Sequence, residues 1–207
     1  YMEGNIIREA MQADQKDIDK AQKWACSFAN EKRVDAFTWD CDGMGVGLKG
    51  SIADAFKGSK IKHVQFKGSH GAYEPDDIYA EVDADYRDGD DPKTNKEAFR
   101  NQRSQFYFEL ANAIYRTYLA VKEGRFFDTD TLISFDGTIR HLDLLRSELC
   151  RIPRKYVAGG RYQLMTKAEM VAMEIASPNI ADCIMMLRKP IEIELSKPVR
   201  LGTVKWG

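Results

Sequence analysis

Hydrophobic positions along the chain shift between strand-like and helix-like spacing, and the shifts predict alternating elements. Gly4 to Met11 is rich in β-branched residues without helical period. It is expected to be a strand, at a sheet edge or in a hairpin whose partner is upstream and absent, with the first strand or strands of the sheet missing. Asp14 follows as a cap or turn residue. From Asp17 to Asn30, Ile18, Ala21, Trp24, Ala25 and Phe28 recur at helical spacing, which predicts an amphipathic helix on a sheet. Asp35 to Trp39 reads as a buried strand ending at Asp40. Gly43-Met-Gly-Val-Gly47 is a turn that glycines make easily, because some positions need positive φ. A short helix over Leu48–Phe56 and an alternating strand over Ile61–Phe66 come next. That order predicts a parallel strand pair with a short crossover.

Residues 67–95 are polar and read as a mobile surface loop, with Asp83 to Pro92 its most acidic run. The run lacks the ligand spacing of an EF-hand. Asn95 to Gly124 is expected to be the longest helix, with Phe99, Phe106, Leu110, Ala113, Ile114, Tyr118 and Val121 on one face. Asp130–Phe135 predicts a short strand or turn and Ile139–Cys150 an amphipathic helix. Tyr162–Met165 predicts a strand after the Gly159-Gly160 turn, and Thr166-Lys-Ala-Glu169 a capping box that opens a helix. The last helix spans Ser177 to Leu187, with Ser177 as N-cap and Pro178 in the first turn. Arg188 to Gly207 reads as a peripheral strand or extended arm.

Length and composition narrow the class. The 207 residues fit one domain, and 43% hydrophobic with 30% charged residues is ordinary for a globular protein. No apolar run is long enough to span a bilayer, and the start carries no signal-peptide pattern. Cys26, Cys41, Cys150 and Cys183 are far apart, form no CxxC, and read as reduced core thiols. His63, His70 and His141 have no metal-ligand spacing. The net charge of −1 is unevenly spread: residues 1–150 carry −6 and residues 151–207 carry +5. A basic C-terminal third suggests a polyanion-facing surface.

The candidate chemistry lies in acidic residues. Asp40 stands at a strand end, where ligands gather in open α/β sheets. Asp182 lies within the apolar run Ile180 to Met186, and a carboxylate buried there needs a partner or a ligand. Asp42 and Asp136 are further candidate metal ligands, Asp136 with a turn role as its alternative. Gathered carboxylates are what a two-metal phosphodiesterase uses, and oxygen-only ligands suit Mg²⁺ or Mn²⁺. For nucleic-acid phosphates the candidates are Lys96, Arg100 and Arg103 in one patch, and Arg151, Arg154, Lys155 and Arg161 in another.

Several pieces carry a resemblance in order. They are Trp39-Asp40 with Gly43-x-Gly-x-Gly47, Asn95-Lys96-x-x-Phe99-x-Asn101-x-Arg103-x-Gln105, Glu148-Leu149, Tyr162-Gln-Leu-Met-Thr-Lys167, and Ser177-Pro-Asn-Ile-Ala-Asp182. Over roughly residues 15–187 the chain resembles the C-terminal nuclease domain of the large terminase subunit of tailed bacteriophages. The resemblance implies an α/β, ribonuclease H-like mixed sheet flanked by helices. It places that nuclease domain over residues 1–187 and an arm over 188–207. It implies an endonuclease that cuts concatemeric double-stranded DNA with Mg²⁺ or Mn²⁺, holding the metals on Asp40 and Asp182. The implied partners are double-stranded DNA, an N-terminal ATPase domain of the same polypeptide, a small terminase subunit and a portal protein. The setting is the host cytoplasm, with no membrane. The family's first catalytic Asp belongs to a strand ahead of where this sequence starts, so the chain is expected to be cut from a longer one.

Three other readings stay open. A non-catalytic DNA-guiding module of the packaging motor differs by whether a third carboxylate approaches Asp40 and Asp182. Another ribonuclease H-like enzyme, such as a resolvase, would lack the 67–95 loop and the Asn95–Gln105 run. A small-molecule enzyme would use the Gly43–Gly47 loop for phosphate, but the P-loop Lys is missing.

Overall fold

The computed structural model describes residues 1–12, 17–82, 92–157 and 159–192. Asp14, the acidic run from Asp83 to Asp91, and the tail beyond residue 192 lie outside the described residues.

The chain opens with β1 (Met2–Glu3) and β2 (Ile6–Ile7), an antiparallel hairpin. β2 also pairs in parallel with β5 (Ser134–Phe135), which makes a small mixed sheet in the order β1-β2-β5. The hairpin partner expected upstream is therefore Met2–Glu3, within this chain. The helix α1 (Ile18–Lys32) starts at Asp17, whose side chain accepts from the Asp19 and Lys20 amides, and stops at Arg33 in the left-handed region. β3 (Ala36–Asp40) and β4 (Lys62–Phe66) form the expected parallel pair, with Trp39 opposite Gln65 and Asp40 opposite Phe66. Between them lie a 3₁₀ turn over Gly43–Leu48 and α2 (Lys49–Ala55).

The long helix expected over Asn95–Gly124 is two helices. α3 (Asn95–Ala98) ends at Phe99, which is extended, and α4 (Gln102–Glu123) restarts from Asn101, also extended. The physical reason is local capping. The Asn101 carboxamide accepts from the Ser104 amide at 2.9 Å, and an N-cap residue takes a non-helical backbone. α5 (Leu142–Cys150) follows β5, and a second hairpin pairs β6 (Arg154–Val157) with β7 (Arg161–Leu164). α6 (Lys167–Ala172) opens with the expected capping box between Thr166 and Glu169. α7 (Asn179–Met186) begins one residue later than expected: Pro178, not Ser177, is its N-cap.

Three apolar clusters join these elements. The largest gathers Ile7, Phe66, Phe106, Leu110, Ile133, Leu145, Leu164, Ile184 and Met185, so α4, α5, α7 and all three small sheets share it. A second holds Cys26, Trp39, Cys41, Ile52 and Phe56 between α1, β3 and α2. A third sets Tyr79, Ala98 and Phe99 under Tyr162. Only Cys26 and Cys41 are core thiols; Cys150 and Cys183 are exposed. The architecture is mixed α/β, with small sheets flanked by helices. None of the described helices is long and apolar enough to cross a membrane.

The described part of the 67–95 loop is pinned rather than loose. Gln105 holds Tyr73 with both ends of its amide, accepting from the Tyr73 N–H at 2.7 Å and donating to its carbonyl at 3.2 Å. Asn95 donates to the Tyr73 and Glu74 carbonyls. The Gln102 and Arg103 amides, otherwise unpaired at a helix start, donate to the His70 and Gly68 carbonyls.

Candidate functional site

The end of β3, the start of α4, the end of β7 and the first turns of α6 and α7 enclose a cavity of about 410 Å³. Asp40, Asp42, Arg103, Lys167 and Asp182 all line it.

β3 brings Asp40 to the lip because its apolar residues bury Trp39 and the strand ends one residue on. The turn that follows is shaped by two glycines. Gly43 has a φ of +58°, and a Cβ on Gly45 would stand 1.7 Å from the Asp40 carbonyl oxygen. The Trp39 indole N–H donates to the Gly45 carbonyl at 3.2 Å and locks the turn against the strand. Asp40 Oδ1 accepts from the Asp42 amide at 3.0 Å. The Asp42 carboxylate accepts from the Ser69 amide at 2.9 Å and from its hydroxyl at 2.8 Å.

Asp182 comes from the opposite wall. The α7 start has no side-chain cap of its own; instead buried Glu148 on α5 accepts from the Ala181 amide at 2.8 Å. That fixes the turn carrying Asp182. Its side chain is only 13% exposed and is surrounded by donors. Tyr107 donates its hydroxyl to Oδ1 at 2.7 Å. Arg103 approaches the same oxygen through Nη2 at 3.3 Å and Nε at 3.4 Å. Lys167 lies 3.4 Å from Oδ2. Burial, then the adjacent carboxylate, pushes the Tyr107 phenol far above its ordinary range, so the hydroxyl stays a donor. Asp182 is not a water-facing residue at a helix edge; it is partly buried and charge-compensated.

The other candidates separate. Asp136 is outside the cavity lining. It accepts from the Thr138 amide and hydroxyl at 2.9 and 2.7 Å and pairs with Arg8 at 3.3 Å, which is the turn role. Those contacts hold its carboxyl below its ordinary range. Arg103 does not belong to a solvent-facing patch, since it is turned onto Asp182 and the Met165 carbonyl. Lys96 pairs with Asp76 at 2.6 Å. Lys155 pairs with Glu169, which, with Thr166, depresses that carboxyl to about 2. Arg151 donates to the Ser147 carbonyl at 3.1 Å. Arg100 and Arg154 are exposed and Arg161 is half-buried. Phe99 bridges to Tyr162, and the Arg100 amide donates to the Tyr162 carbonyl at 3.0 Å, so the two sequence patches meet beside β7. Three contributors escaped the sequence reading as site residues: Tyr107, Ser69 and Lys167. Tyr107 had a signal, its place one helical turn after Arg103; Ser69 had none.

Asp40, Asp42 and Asp182 are hard oxygen donors facing one cavity, which fits a divalent cation such as Mg²⁺ or Mn²⁺. Asp182 Oδ2 already faces positive charge from Lys167. Among the described residues, no group of three or more His, Cys, Asp or Glu converges closely enough to hold a metal ion. The fit is therefore to a cation that keeps several waters and takes one or two carboxylates, as Mg²⁺ does.

Fold and cavity together define a mixed α/β domain with a cleft lined by acidic and basic side chains. Solved structures show its relatives. The chain is 37% identical to the nuclease domain of the large terminase subunit gp2 of bacterial virus Sf6, with a TM-score of 0.82 over 91% of this chain and 80% of that one. A lysine-to-alanine variant of the same domain, solved with manganese and beta-thujaplicinol, matches with the same identity, coverage and TM-score. Another, solved with calcium, matches at a TM-score of 0.80 and 37% identity, over 91% of this chain and 79% of that one. No protein-family model and no curated protein matches the chain. The chain belongs to the nuclease domains of phage large terminase subunits, and its fold is ribonuclease H-like.

Proposed function

We propose that the chain is a metal-dependent endonuclease that cuts concatemeric double-stranded DNA during viral genome packaging. The observation that carries the reading is Asp182, a largely shielded carboxylate, 13% exposed, that lines the same cavity as Asp40 and Asp42. Relatives solved with manganese and with calcium support a divalent-cation site in this domain. When bound, Mg²⁺ or Mn²⁺ supplies an activated water and offsets charge on the phosphate. The chain's own residues do the rest. Asp40 and Asp182 are the ligands, and Asp42 is an accessory acid on the same lip. Arg103 ties α4 to α7 and Glu148 ties α5 to α7, so that Asp182 keeps its direction. Lys167, whose side chain is about half exposed at the mouth, offers a positive charge to an incoming phosphate. Arg100, with Arg154 on one face of the β6–β7 hairpin and Arg161 on the other, offers further charge for backbone contacts.

The nuclease unit covers residues 1–187, with an arm from 188; the first two arm residues pack on the body, Lys189 donating to Gln102 and Arg188 to the Asp130 carbonyl. The proposed partners are DNA, an ATPase domain of the same polypeptide, the small terminase subunit and the portal protein, in the host cytoplasm during assembly.

A second reading has one observation in its favour. Asp182 is already compensated by Arg103 and Lys167, and no three-acid cluster forms among the described residues. That suits a non-catalytic DNA-guiding module. Plasmid cleavage in Mn²⁺ separates the two, using this chain, Asp40→Asn and Asp182→Asn. The nuclease reading expects relaxed and linear products from the unaltered chain and a loss of about 100-fold or more in each variant. Equal cleavage by chain and variants would sink the site assignment. DNA binding without cleavage, by this chain and by one extended upstream, would leave the guiding module.

A further inference from the structure

The two oxygens of Asp182 have different surroundings. Oδ1 receives everything that α4 offers: the Tyr107 hydroxyl at 2.7 Å and the two Arg103 nitrogens at 3.3 and 3.4 Å. Among the described residues, Oδ2 receives only Lys167, at 3.4 Å, from a side chain that is 53% exposed. The two α4 donors are also tied to each other. Arg103 lies over the Tyr107 ring, 5.3 Å from its centre, one helical turn away. Tyr107 is itself buried, and its ring belongs to the main apolar cluster with Phe106, Leu110 and Ile184. Its hydroxyl is therefore fixed in place by packing and has one short, well-directed contact. Arg103 has a longer, forked one and also holds the Met165 carbonyl at 3.0 Å.

From this asymmetry we infer that Tyr107 is the positioning residue of the metal site: its hydroxyl occupies Asp182 Oδ1 and leaves Oδ2 alone to face the cavity as a single-oxygen ligand. The inference rests on the metal-site reading above and adds to it a coordination mode and a selectivity. Mg²⁺, with near-ideal octahedral demands, and Mn²⁺, smaller than Ca²⁺ and commonly six-coordinate by oxygen, are served by one rigid oxygen. Ca²⁺ accepts one or both oxygens of a carboxylate in flexible geometry. Freed from Tyr107, the carboxylate can turn and offer both. Outer hydrogen-bond partners of ligands commonly carry about 10–100-fold in metal affinity.

The test is metal binding by calorimetry, with Mn²⁺ and Ca²⁺ as separate titrants, on the unaltered chain, Tyr107→Phe and Asp182→Asn. Thermal unfolding is run on each to confirm the fold. Tyr107→Phe removes one hydroxyl and keeps the ring in its cluster. The expected result is a rise in the Mn²⁺ dissociation constant of about 10-fold with a change in Ca²⁺ of less than about 3-fold, so that Mn²⁺-over-Ca²⁺ preference falls. A purely structural Tyr107 would lower the melting temperature and move both ions together. Equal loss for both ions, or no change for either, overturns the inference and leaves the metal site standing. Mn²⁺ binding that survives unchanged in Asp182→Asn, or no Mn²⁺ binding by any form, overturns the metal-site reading and the inference with it.

Discussion

Glu109, one helical turn beyond Gln105 on α4, carries a cost that a single atom change removes. Burial is the main cause that lifts its carboxyl from 4.5 to about 7, against the pull of the Gln105 amide, which donates to it at 3.0 Å, and of Arg188. The sign follows from proton uptake. Below pH 4.5 the carboxyl is protonated in both folded and unfolded chains and contributes nothing to the pH dependence. Between 4.5 and about 7 the unfolded chain ionises while the folded one keeps its proton, so stability falls as pH rises. Above that window the loss is complete, on the order of 3 kcal/mol. Glu109→Gln keeps an acceptor for Gln105 and cannot ionise. It is expected to match the unaltered chain at pH 4 and to exceed it by about 2–3 kcal/mol at pH 8. Urea unfolding at the two pH values measures this, and a variant with the same advantage at both would disprove the assignment.

At the scale of elements, the break between α3 and α4 is the feature that builds the site. A continuous helix would carry Arg103 and Tyr107 on a different path; restarting at Asn101 sets them against α7. Asn101 is therefore a cap with consequences beyond its own helix. Asn101→Ala is expected to cost about 1 kcal/mol in denaturant unfolding, the usual loss for an N-cap, and an unchanged midpoint would mean the cap is redundant. The sequence made much of this order readable but not the break. The β3–α2–β4 unit, the Thr166 capping box and the helix carrying Asp182 follow from spacing and capping residues, which act locally. Apolar period ran straight through Phe99 because that residue is buried either way, under Tyr79 and Tyr162. The position of Arg103 had no local signal at all: basic residues in a first turn read as solvent-facing, and only the approach of α7 turns this one inward. For the same reason Lys96 and Lys155 looked free in sequence and are paired in space.

Across the whole molecule, charge decides how DNA is met. The chain is nearly neutral, at −1, yet residues 151–207 carry +5. Within the described part of that segment, Lys155 is committed to Glu169 and Lys167 faces the cavity beside Asp182, so the nominal excess overstates what the outer surface offers to phosphate. The exposed or half-exposed charges that remain near β7 are Arg100, Arg154 and Arg161. Arg100 reaches this surface from another part of the chain because Phe99 bridges to Tyr162. In the hairpin register, Arg154 lies opposite Leu164, and Arg161 opposite Val157, so the two arginines fall on opposite faces. A duplex tracking one face of the hairpin would engage Arg100 with one of them, not both. Each phosphate contact contributes close to one unit to the slope of log affinity against log salt. Arg154→Ala and Arg161→Ala, each made singly and with Arg100→Ala, are expected to separate. One hairpin arginine should lower the slope by about 1 and the other should leave it unchanged, and the pair with Arg100 should lower it by about 2. Fluorescence anisotropy with a labelled duplex between low and moderate salt reads these slopes. Equal losses from both hairpin arginines would mean that DNA wraps the hairpin, and no loss from any of the three would move the binding surface off β7 altogether.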